Sequence, residues 1–296
     1  MEYYGSKTVL YLNGQFVKST EAKTDLYGQS LHYGYAVFEG IKSYNTHNGT
    51  RIFKAKEHYD RLQHSAELMH IPFPWDKNEL IKQTYKLLEK NNLKDAYIRP
   101  LVYCGTNMSL SQATESSIVI MAWEWGAYLG SKLQRVCISS YQRPNPKSTH
   151  IEAKASGNYI NSILATTEAK SKGFDEALLL DIDNNVAEAS GANIFIEKSG
   201  KLYTPALGSI LPGITRATVI KLCKTLDIDC IEKKISVEEL KKADSAFFCG
   251  TAAEIIGIAS IDETIFPATW TETLGATIQR TYKALVLEKQ NYEVII

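Results

Sequence analysis

Lys154 is the residue whose setting most suggests covalent chemistry. It lies in residues 152–159 (EAKASGNY), between a predicted strand and the start of a predicted helix. The small residues on either side leave room for a flat ligand, and a neutral lysine amine can form a Schiff base with a carbonyl compound. Because most loop lysines are only solvated, this interpretation depends on other residues of the chain.

An acid and two glycine-containing junctions could bind other parts of the same ligand. Glu188 lies just before a small-residue turn that enters an apolar strand, and a carboxylate beside a pyridine nitrogen keeps that nitrogen protonated. Residues 211–216 (LPGITR) open a helix, whose N-terminal N–H groups suit a phosphate. Residues 249–254 (CGTAAE) repeat the pattern of strand end, glycine and hydroxyl, and Arg61 could add a guanidinium. Taken singly, each feature is also typical of a solvated turn or helix surface.

The elements that would position these residues fall into two groups, separated by a break in the pattern at residues 125–130 (WGAYLG). Before the break, turn signals predict hairpins at 13–14 and 46–49. Segments starting at Ser236 and Thr269 each predict a capping box at a helix start. Apolar periodicity predicts strands 97–104, 118–123, 136–139, 177–180, 193–196, 246–249 and 255–258, and helices 57–69, 77–90, 158–172 and 215–226. The sequence therefore predicts an α/β chain in two parts, the first with mostly antiparallel strands.

The composition limits the classes of function. The 296 residues include 33 Lys or Arg and 33 Asp or Glu, and this zero net charge argues against a nucleic-acid-binding protein. Five cysteines without a C-x-x-C pair indicate a reducing compartment rather than a disulfide framework or a zinc site. The N-terminus does not resemble a signal peptide, no apolar run is long enough for a membrane span, and the histidines lack metal-ligand spacing. We expect a cytoplasmic protein that binds no metal, nucleic acid or membrane.

Eight segments, in order and spread over nearly the whole chain, resemble the motif series of branched-chain-amino-acid aminotransferases. That family belongs to the class IV enzymes, which use pyridoxal 5'-phosphate (PLP) and share the D-alanine-transaminase-like fold. The segments are residues 31–34 (LHYG), 37–41 (VFEGI), 57–62 (EHYDRL), 96–101 (AYIRPL), 125–130 (WGAYLG), 154–159 (KASGNY), 211–216 (LPGITR) and 250–254 (GTAAE). One such segment would be a weak signal, whereas eight in the same order are specific.

The resemblance implies a two-domain PLP fold of type IV. Residues 1–125 would form a small N-terminal domain with an antiparallel sheet and helices, and residues 126–134 an interdomain loop. Residues 135–296 would form a larger PLP-binding domain with a β-barrel-like core surrounded by helices. The resemblance also implies a homodimer or a higher homo-oligomer.

The resemblance implies one catalytic residue and a set of residues that hold PLP. Lys154 would carry the cofactor as an internal aldimine and move the protons. Tyr159 would bind the phenolic oxygen, Glu188 the pyridine nitrogen, and Leu211 would pack on the ring. The phosphate would be held by Arg61, Ile214, Thr215 and Thr251.

The implied reaction moves the amino group of L-leucine, L-isoleucine or L-valine to 2-oxoglutarate, reversibly and by a ping-pong cycle, giving the branched 2-oxo acid and L-glutamate. Tyr97 and the N–H groups of Thr251 and Ala252 would bind the α-carboxylate, and Arg99 the distal carboxylate of glutamate. A branched side chain needs an apolar wall, and a tyrosine supplies one while keeping a polar tip. The other residues implied for the side-chain pocket are Tyr33, Phe38, Leu110, Trp125 and Tyr128, with Leu110 reaching the pocket of a partner subunit.

Three positions depart from the family pattern. Ala189 stands where the family commonly has glycine, Ala192 where it often has glutamate, and Lys42 where many members have arginine. The lysine keeps the charge but loses the bidentate geometry.

Two other readings stay open. Another class IV enzyme, namely a D-amino-acid transaminase, an amine transaminase or an aminodeoxychorismate lyase, would share Lys154 and Glu188, although Tyr97, Arg99 and residues 125–128 favour the branched-chain family. A binding protein that keeps the fold without turnover is the second reading, and it is disfavoured because nothing required for the chemistry is missing.

Overall fold

The computed structural model describes residues 3–125 and 132–288, and the contacts among them divide the chain into two units. Unit 1 comprises Met1–Gly126 with Ala153–Gly157, and unit 2 comprises Ala127–Glu152 with Asn158–Ile296. Most of the loop expected over residues 126–134 lies outside the described residues, so that boundary stays a prediction. The short segment that carries Lys154 groups with unit 1, which a single division of the chain does not anticipate.

Unit 1 is built on a seven-stranded antiparallel sheet, with β3 paired to β6 beside the main path β2-β1-β7-β6-β4-β5. Its strands are β1 (Val9–Leu12), β2 (Gln15–Lys18), β3 (Ala36–Phe38), β4 (Ile41–Thr46), β5 (Gly49–Ile52), β6 (Ala96–Tyr103) and β7 (Ser117–Trp123). The predicted hairpin turn joins β1 to β2, and positive φ angles at Asn13 and Gly14 give it the twist that tight hairpins need. The alternating burial along β6 and β7 places one face of the sheet on a core.

The helices of unit 1 are α1 (Gln29–Tyr33), α2 (Ala55–Leu68) and α3 (Lys77–Lys90). Leu62 of α2 and Leu80, Leu87 and Leu88 of α3 recur at helical spacing and are buried in one core with the sheet. The Asp76 side chain caps α3 by accepting from the Glu79 N–H group at 2.8 Å. These contacts give α2, which carries Arg61, a fixed position on the sheet.

Unit 2 is built on a nine-stranded sheet in which six strands close into a barrel. The strands are β8 (Gln134–Gln142), β9 (Glu176–Leu180), β10 (Val186–Ala189), β11 (Asn193–Lys198), β12 (Lys201–Pro205), β13 (Cys230–Lys233), β14 (Ser245–Gly250), β15 (Glu254–Ile261) and β16 (Thr264–Ile265). The order β10-β9-β8-β15-β14-β11 returns on itself because β10 also pairs with β11, through Glu188 and Asn193. Glu188 therefore lies at the strand pairing that closes the barrel.

The helices of unit 2 are α4 (Tyr159–Ser171), α5 (Ile214–Thr225), α6 (Val237–Lys241) and α7 (Leu274–Val286). Ser236 and Glu239 form the predicted capping box at α6. The second predicted capping box is wrong, because residues 270–272 form a 3-10 turn and the Thr273 side chain caps α7 instead. Among the described residues, no helix combines the length and apolarity that a membrane crossing requires.

Candidate active site

The backbone around Lys154 is bound to the sheet and to α2 of unit 1. The Phe38 N–H donates to the Lys154 carbonyl at 3.0 Å, and the Lys154 N–H donates to Ser65 Oγ at 3.0 Å. Val37 and Ala155 also form a β-bridge. The side chain is partly buried, with Nζ 5.0 Å from the centre of the Phe38 ring. The two hydrogen bonds and the β-bridge therefore hold the backbone from which the Lys154 side chain extends.

Two glycines allow two of the predicted motifs to pack together. The Gly157 N–H donates to the Gly34 carbonyl at 3.0 Å. Gly34 has a φ of 65°, and a Cβ there would lie 3.0 Å from Gly157 Cα. Because a larger residue would push the two segments apart, the glycines at 34 and 157 bring residues 31–34 onto the Lys154 segment.

Arg61 lies against a buried acid that sequence reasoning did not assign to the site. Arg61 Nε and Nη2 donate to the Glu39 carboxylate at 2.7 and 2.9 Å, and His58 Nδ1 lies 2.7 Å from the same carboxylate. Burial acts to raise the pKa of Glu39, but the charge of Arg61 and the contact with His58 hold it well below its usual range. Glu39 thus fixes the guanidinium of Arg61, and the position of Glu39 inside the 37–41 motif was the only signal for it in the sequence.

An aromatic and cationic cluster adjoins Lys154 within unit 1. The Arg99 guanidinium lies 4.6 Å from the centre of the Phe38 ring, and its Nη2 donates to the Tyr97 hydroxyl at 3.1 Å. The Tyr97 and Trp125 rings are 4.5 Å apart at their centres. A Cβ at Gly40 would overlap the Tyr97 hydroxyl oxygen, so glycine is required there. The structure therefore brings together Phe38, Tyr97, Arg99 and Trp125 of the predicted pocket.

Three other predicted pocket residues are not in this cluster or are not described. Tyr33 is half exposed, and its hydroxyl donates to the Met108 carbonyl at 3.0 Å. Leu110 is 88% exposed, so its side chain packs on no pocket wall formed by the described residues. Tyr128 lies outside the described residues.

Glu188 is buried at the closure of the barrel, where hydrogen-bond donors and a cation are directed at its carboxylate. Asn193 Nδ2 donates to Oε2 at 3.0 Å, and the Leu211 N–H donates to Oε1 at 3.1 Å. Arg143 Nε lies 3.0 Å from Oε1, and both side chains of this ion pair are less than a tenth exposed. Sequence reasoning missed Arg143, because an arginine just after a strand carries no sign of a partner forty-five positions away.

The unit 2 residues expected at the phosphate lie at the end of the barrel that carries Glu188. Gly213 is the N-cap of α5, and the helix then begins with Ile214 and the buried Thr215. Asn193 Nδ2 also donates to the Leu211 carbonyl at 3.1 Å, which ties this loop to Glu188. A Cβ at Gly213 would overlap Asn193 Oδ1, so the close approach requires glycine. The first N–H groups of α5 have no partner within the helix, as at any helix start, and form a site for an anion.

Thr251 and Ala252 lie in the turn between β14 and β15. Gly250 pairs with Glu254, which leaves three residues in the turn. A Cβ at Gly250 would lie 3.2 Å from the Gly191 carbonyl oxygen, so this turn adjoins the β10–β11 turn that follows Glu188. Unit 2 thus collects an acid, a helix N-terminus and a hydroxyl-bearing turn, which fits the pyridine nitrogen and the phosphate of PLP. Tyr159 is the first residue of α4 and is partly buried.

The three departures from the family pattern have different surroundings. Ala189 is buried in β10, and Ala192 packs against Gly250, with 3.4 Å from its Cβ to the ideal Cβ position there. Lys42 Nζ lies 5.3 Å from the centre of the Tyr44 ring. Nothing in the structure explains why alanine stands at 189.

Comparison with known proteins gives concordant matches. A family model described as amino-transferase class IV matches residues 36–261. The branched-chain-amino-acid aminotransferase of Pseudomonas aeruginosa is 40% identical over 287 residues, which cover 95% of this chain and 94% of that protein. The family resemblance that was read from the eight motifs is therefore confirmed.

Two solved structures are similar in fold over nearly their whole length. A branched-chain aminotransferase of the archaeon Thermoproteus uzoniensis, solved with norvaline, has a TM-score of 0.92 and 38% identity and covers 96% of each chain. The T.th. branched-chain amino acid aminotransferase complexed with N-(5'-phosphopyridoxyl)-L-glutamate has a TM-score of 0.90 and 34% identity, covering 96% of this chain and 95% of that one. The predicted fold class, with its barrel, is confirmed.

Proposed function

This chain belongs to the amino-transferase class IV family, and from that premise we propose that it transfers the amino group of L-leucine, L-isoleucine or L-valine to 2-oxoglutarate, reversibly. The observation that carries the proposal is the cluster of Phe38, Tyr97, Arg99 and Trp125 beside the Lys154 segment. It offers an apolar wall for a branched side chain and a cation for the distal carboxylate of glutamate. One site can thus accept both substrates in turn.

PLP is the cofactor that we propose. In unit 1, Lys154 would hold it covalently through Nζ, and Arg61 would contribute to the phosphate site. In unit 2, Glu188 would bind the pyridine nitrogen, Leu211 would cover the ring, and Tyr159 would bind the phenolic oxygen. The phosphate would also be held by Ile214, Thr215 and Thr251. When bound, PLP supplies an electron sink for the pair of electrons left when Cα loses its proton.

The side chains divide the remaining work. Lys154 Nζ takes the proton from Cα of the amino acid and gives a proton back in the second half of the cycle. The Tyr97 hydroxyl and the N–H groups of Thr251 and Ala252 bind the α-carboxylate. The rings of Phe38 and Trp125 exclude water from the aliphatic side chain, and Arg99 binds the distal carboxylate of 2-oxoglutarate. We also assign Tyr33, Tyr128 and, from a partner subunit, Leu110 to the side-chain pocket.

The other class IV activities make different demands on the site. An amine transaminase acts on a substrate without an α-carboxylate, whereas we assign the Tyr97 hydroxyl, which accepts from Arg99, to that group. Mixing the purified protein with L-leucine, D-alanine or an aryl amine, and following the absorbance of bound PLP, separates the activities. We expect L-leucine to convert the cofactor to its amino form and 2-oxoglutarate to restore it.

Lys154→Ala tests the central assignment. The variant should lose transamination by roughly 10²- to 10⁴-fold or more, because the proton carrier is gone, while phosphate contacts retain some PLP. Stopped assays for leucine-dependent glutamate formation, together with the absorbance of bound cofactor, measure both. Lys170→Ala, an exposed lysine on α4, is the control and should behave as wild type. Undiminished turnover in Lys154→Ala would refute the assignment.

We propose further that the chain acts as a homodimer or higher homo-oligomer in the cytoplasm. The exposed apolar residues around α1 support the homo-oligomer. The five cysteines, all free and four of them buried, are in keeping with the cytoplasm. Cell fractionation tests the location, and the assembly is taken up in the Discussion.

A further inference from the structure

Arg143 is a buried cation that none of the roles above uses. Its backbone N–H donates to the Leu180 carbonyl at 2.8 Å, which fixes the residue at the end of β8, beside β9. Its side chain is 8% exposed and reaches Glu188, with 3.0 Å from Nε to Oε1. Within the part of the chain that the structure describes, Nε–H has no hydrogen-bond acceptor in line with it, so the contact is an ion pair rather than a linear hydrogen bond.

We propose that Arg143 is a positioning residue that keeps the Glu188 carboxylate ionised, and that it thereby places the shared proton on the pyridine nitrogen of PLP. The inference rests on the proposed function, since it concerns the same cofactor. Glu188 is the residue that touches the cofactor, and Arg143 acts through it.

The physical reason is the cost of burying a charge. A buried carboxylate without a cation nearby tends to take up a proton, because burial disfavours the charged form. Arginine cannot relieve this by losing its own charge. Asn193 and the Leu211 N–H also donate to the carboxylate, and such donors favour the ionised state. Only Arg143 among these three groups contributes a positive charge.

The consequence appears where Glu188 meets a pyridine nitrogen. The proton between them has two positions, on the nitrogen with an ionised carboxylate or on the carboxyl group with a neutral nitrogen. The charge of Arg143 at Oε1 stabilises the first arrangement. Loss of Arg143 makes the carboxylate more basic and moves the proton toward it, which weakens the electron sink that a protonated ring provides.

Two other titratable groups lie near this acid. Cys249 is opposite Asn193 in the β11–β14 pairing, and burial above all raises its pKa, so the thiol stays neutral and adds no charge. Arg216, on α5, is engaged with Glu232 and the Pro205 carbonyl, at 2.6 and 2.8 Å. Arg143, by contrast, is in direct contact with Glu188.

The test is the ¹⁵N NMR shift of pyridine-labelled PLP bound to the holoenzyme, a readout that does not depend on turnover. Wild type should show a protonated nitrogen. Arg143→Gln should move the shift toward that of a neutral pyridine, and Arg143→Lys, which keeps the charge, should restore most of it. Arg135→Gln, at an exposed arginine near the start of β8, should leave the shift unchanged.

A double variant separates action through Glu188 from a general packing effect. Glu188→Gln should shift the nitrogen as Arg143→Gln does, and combining the two changes should add nothing further. A wild-type shift in Arg143→Gln would overturn the proposal, as would an additive shift in the double variant.

Arg143→Met, which keeps the aliphatic bulk, replaces Arg143→Gln if that variant does not fold. If wild type binds no PLP, the proposed function fails. If wild type transaminates and Arg143→Gln keeps its shift, this inference alone fails.

Discussion

At the scale of single residues, Arg99 is the clearest case of a side chain whose bonding is incomplete without a ligand. Its Nη2 donates to Tyr97, and its guanidinium lies on the Phe38 ring, but its buried Nε forms no hydrogen bond among the described residues. An unused donor on a planar cation suits a carboxylate, which guanidinium binds through two parallel hydrogen bonds. The distal carboxylate of 2-oxoglutarate is the substrate group of that shape.

Arg99→Met should therefore separate the two halves of the reaction. We expect the KM for 2-oxoglutarate to rise by about 10- to 100-fold, since a hydrogen bond to a charged group contributes roughly 1.5–3 kcal/mol. The KM for L-leucine should change little, because methionine preserves an apolar surface beside Phe38. Single half-reactions, followed through the absorbance of bound PLP, measure each substrate by itself.

Arg99→Lys is the matched control for that experiment. It keeps the charge but loses the planar fork, so its KM for 2-oxoglutarate should lie between wild type and Arg99→Met. Equal increases for L-leucine and 2-oxoglutarate would contradict the role assigned to Arg99.

The sequence identified the residues of the candidate site better than it identified the side chains that form ion pairs with them. Lys154, Arg99 and Glu188 lie in recognisable motifs, because their contacts are tied to local turns and strand ends. The Glu39–Arg61 and Arg143–Glu188 pairs were missed, because each joins two elements that only the folded chain brings together. A buried ion pair has no local signature, since either residue alone reads as a surface charge.

At the scale of elements, the sequence predicted the presence of the regular helices well, but it predicted where some of them begin less well. The prediction for α3 coincides with its observed bounds, Lys77–Lys90, whereas α2 begins two residues early, after Lys54 adopts a left-handed conformation. The helix predicted at Thr269 begins instead at Leu274, with Thr273 as its N-cap, because Trp270–Glu272 forms a 3-10 turn first. Closure of the barrel depends on the parallel pairing of β8 with β9 and β15, which no short pattern encodes.

Glu176 on β9 and Glu168 on α4 should make the unfolding free energy depend on pH with opposite signs. Burial raises the pKa of Glu176, whose Oε1 accepts from Ser190 Oγ and the Ala177 N–H. The folded state thus holds a proton that the unfolded state releases first, and the stability falls as pH rises from about 4.5 through the raised pKa. Glu176→Gln keeps the acceptor and removes this loss, so its advantage in unfolding free energy over wild type should grow across that window. Denaturant titrations from pH 4 to pH 8 measure it.

Glu168→Gln provides the comparison of opposite sign. The hydrogen bond from Lys172, with others from Ser139 and Ser140, lowers the pKa of Glu168 to about 2. Its stabilising effect is present above the unfolded value of 4.5 and is lost as pH falls toward 2. Glu168→Gln should be less stable than wild type at neutral pH, with a difference that narrows in acid. For the first variant, Glu176→Gln, a difference in unfolding free energy from wild type that did not change with pH would show that the Glu176 carboxyl group does not titrate as described.

At the scale of the whole molecule, one surface of unit 1 exposes several large apolar side chains. It joins α1 and the segment before it to the loop at 105–111, through a hydrogen bond from the Asn107 N–H to the Tyr27 carbonyl and a β-bridge between Gly28 and Thr106. We call it the α1–loop surface. Its exposed residues are Leu26, Tyr27, Leu31, Tyr33, Met108 and Leu110. Contiguous exposed apolar groups of this kind mark interaction sites.

The α1–loop surface is where we expect a second copy of the chain to bind. Leu31→Asp with Leu110→Asp should convert the assembly to monomers at micromolar concentration, because each change places a charge in an interface that should be apolar at its centre. Light scattering after size exclusion gives the mass directly. Ile265→Asp, an equally large change at an exposed isoleucine on β16, should leave the assembly intact.

If Leu110 also completes a partner's pocket, the monomeric variant should lose leucine transamination while it still binds PLP. A wild-type protein that runs as a monomer, or a double variant that keeps the wild-type mass, would rule out this surface as the interface.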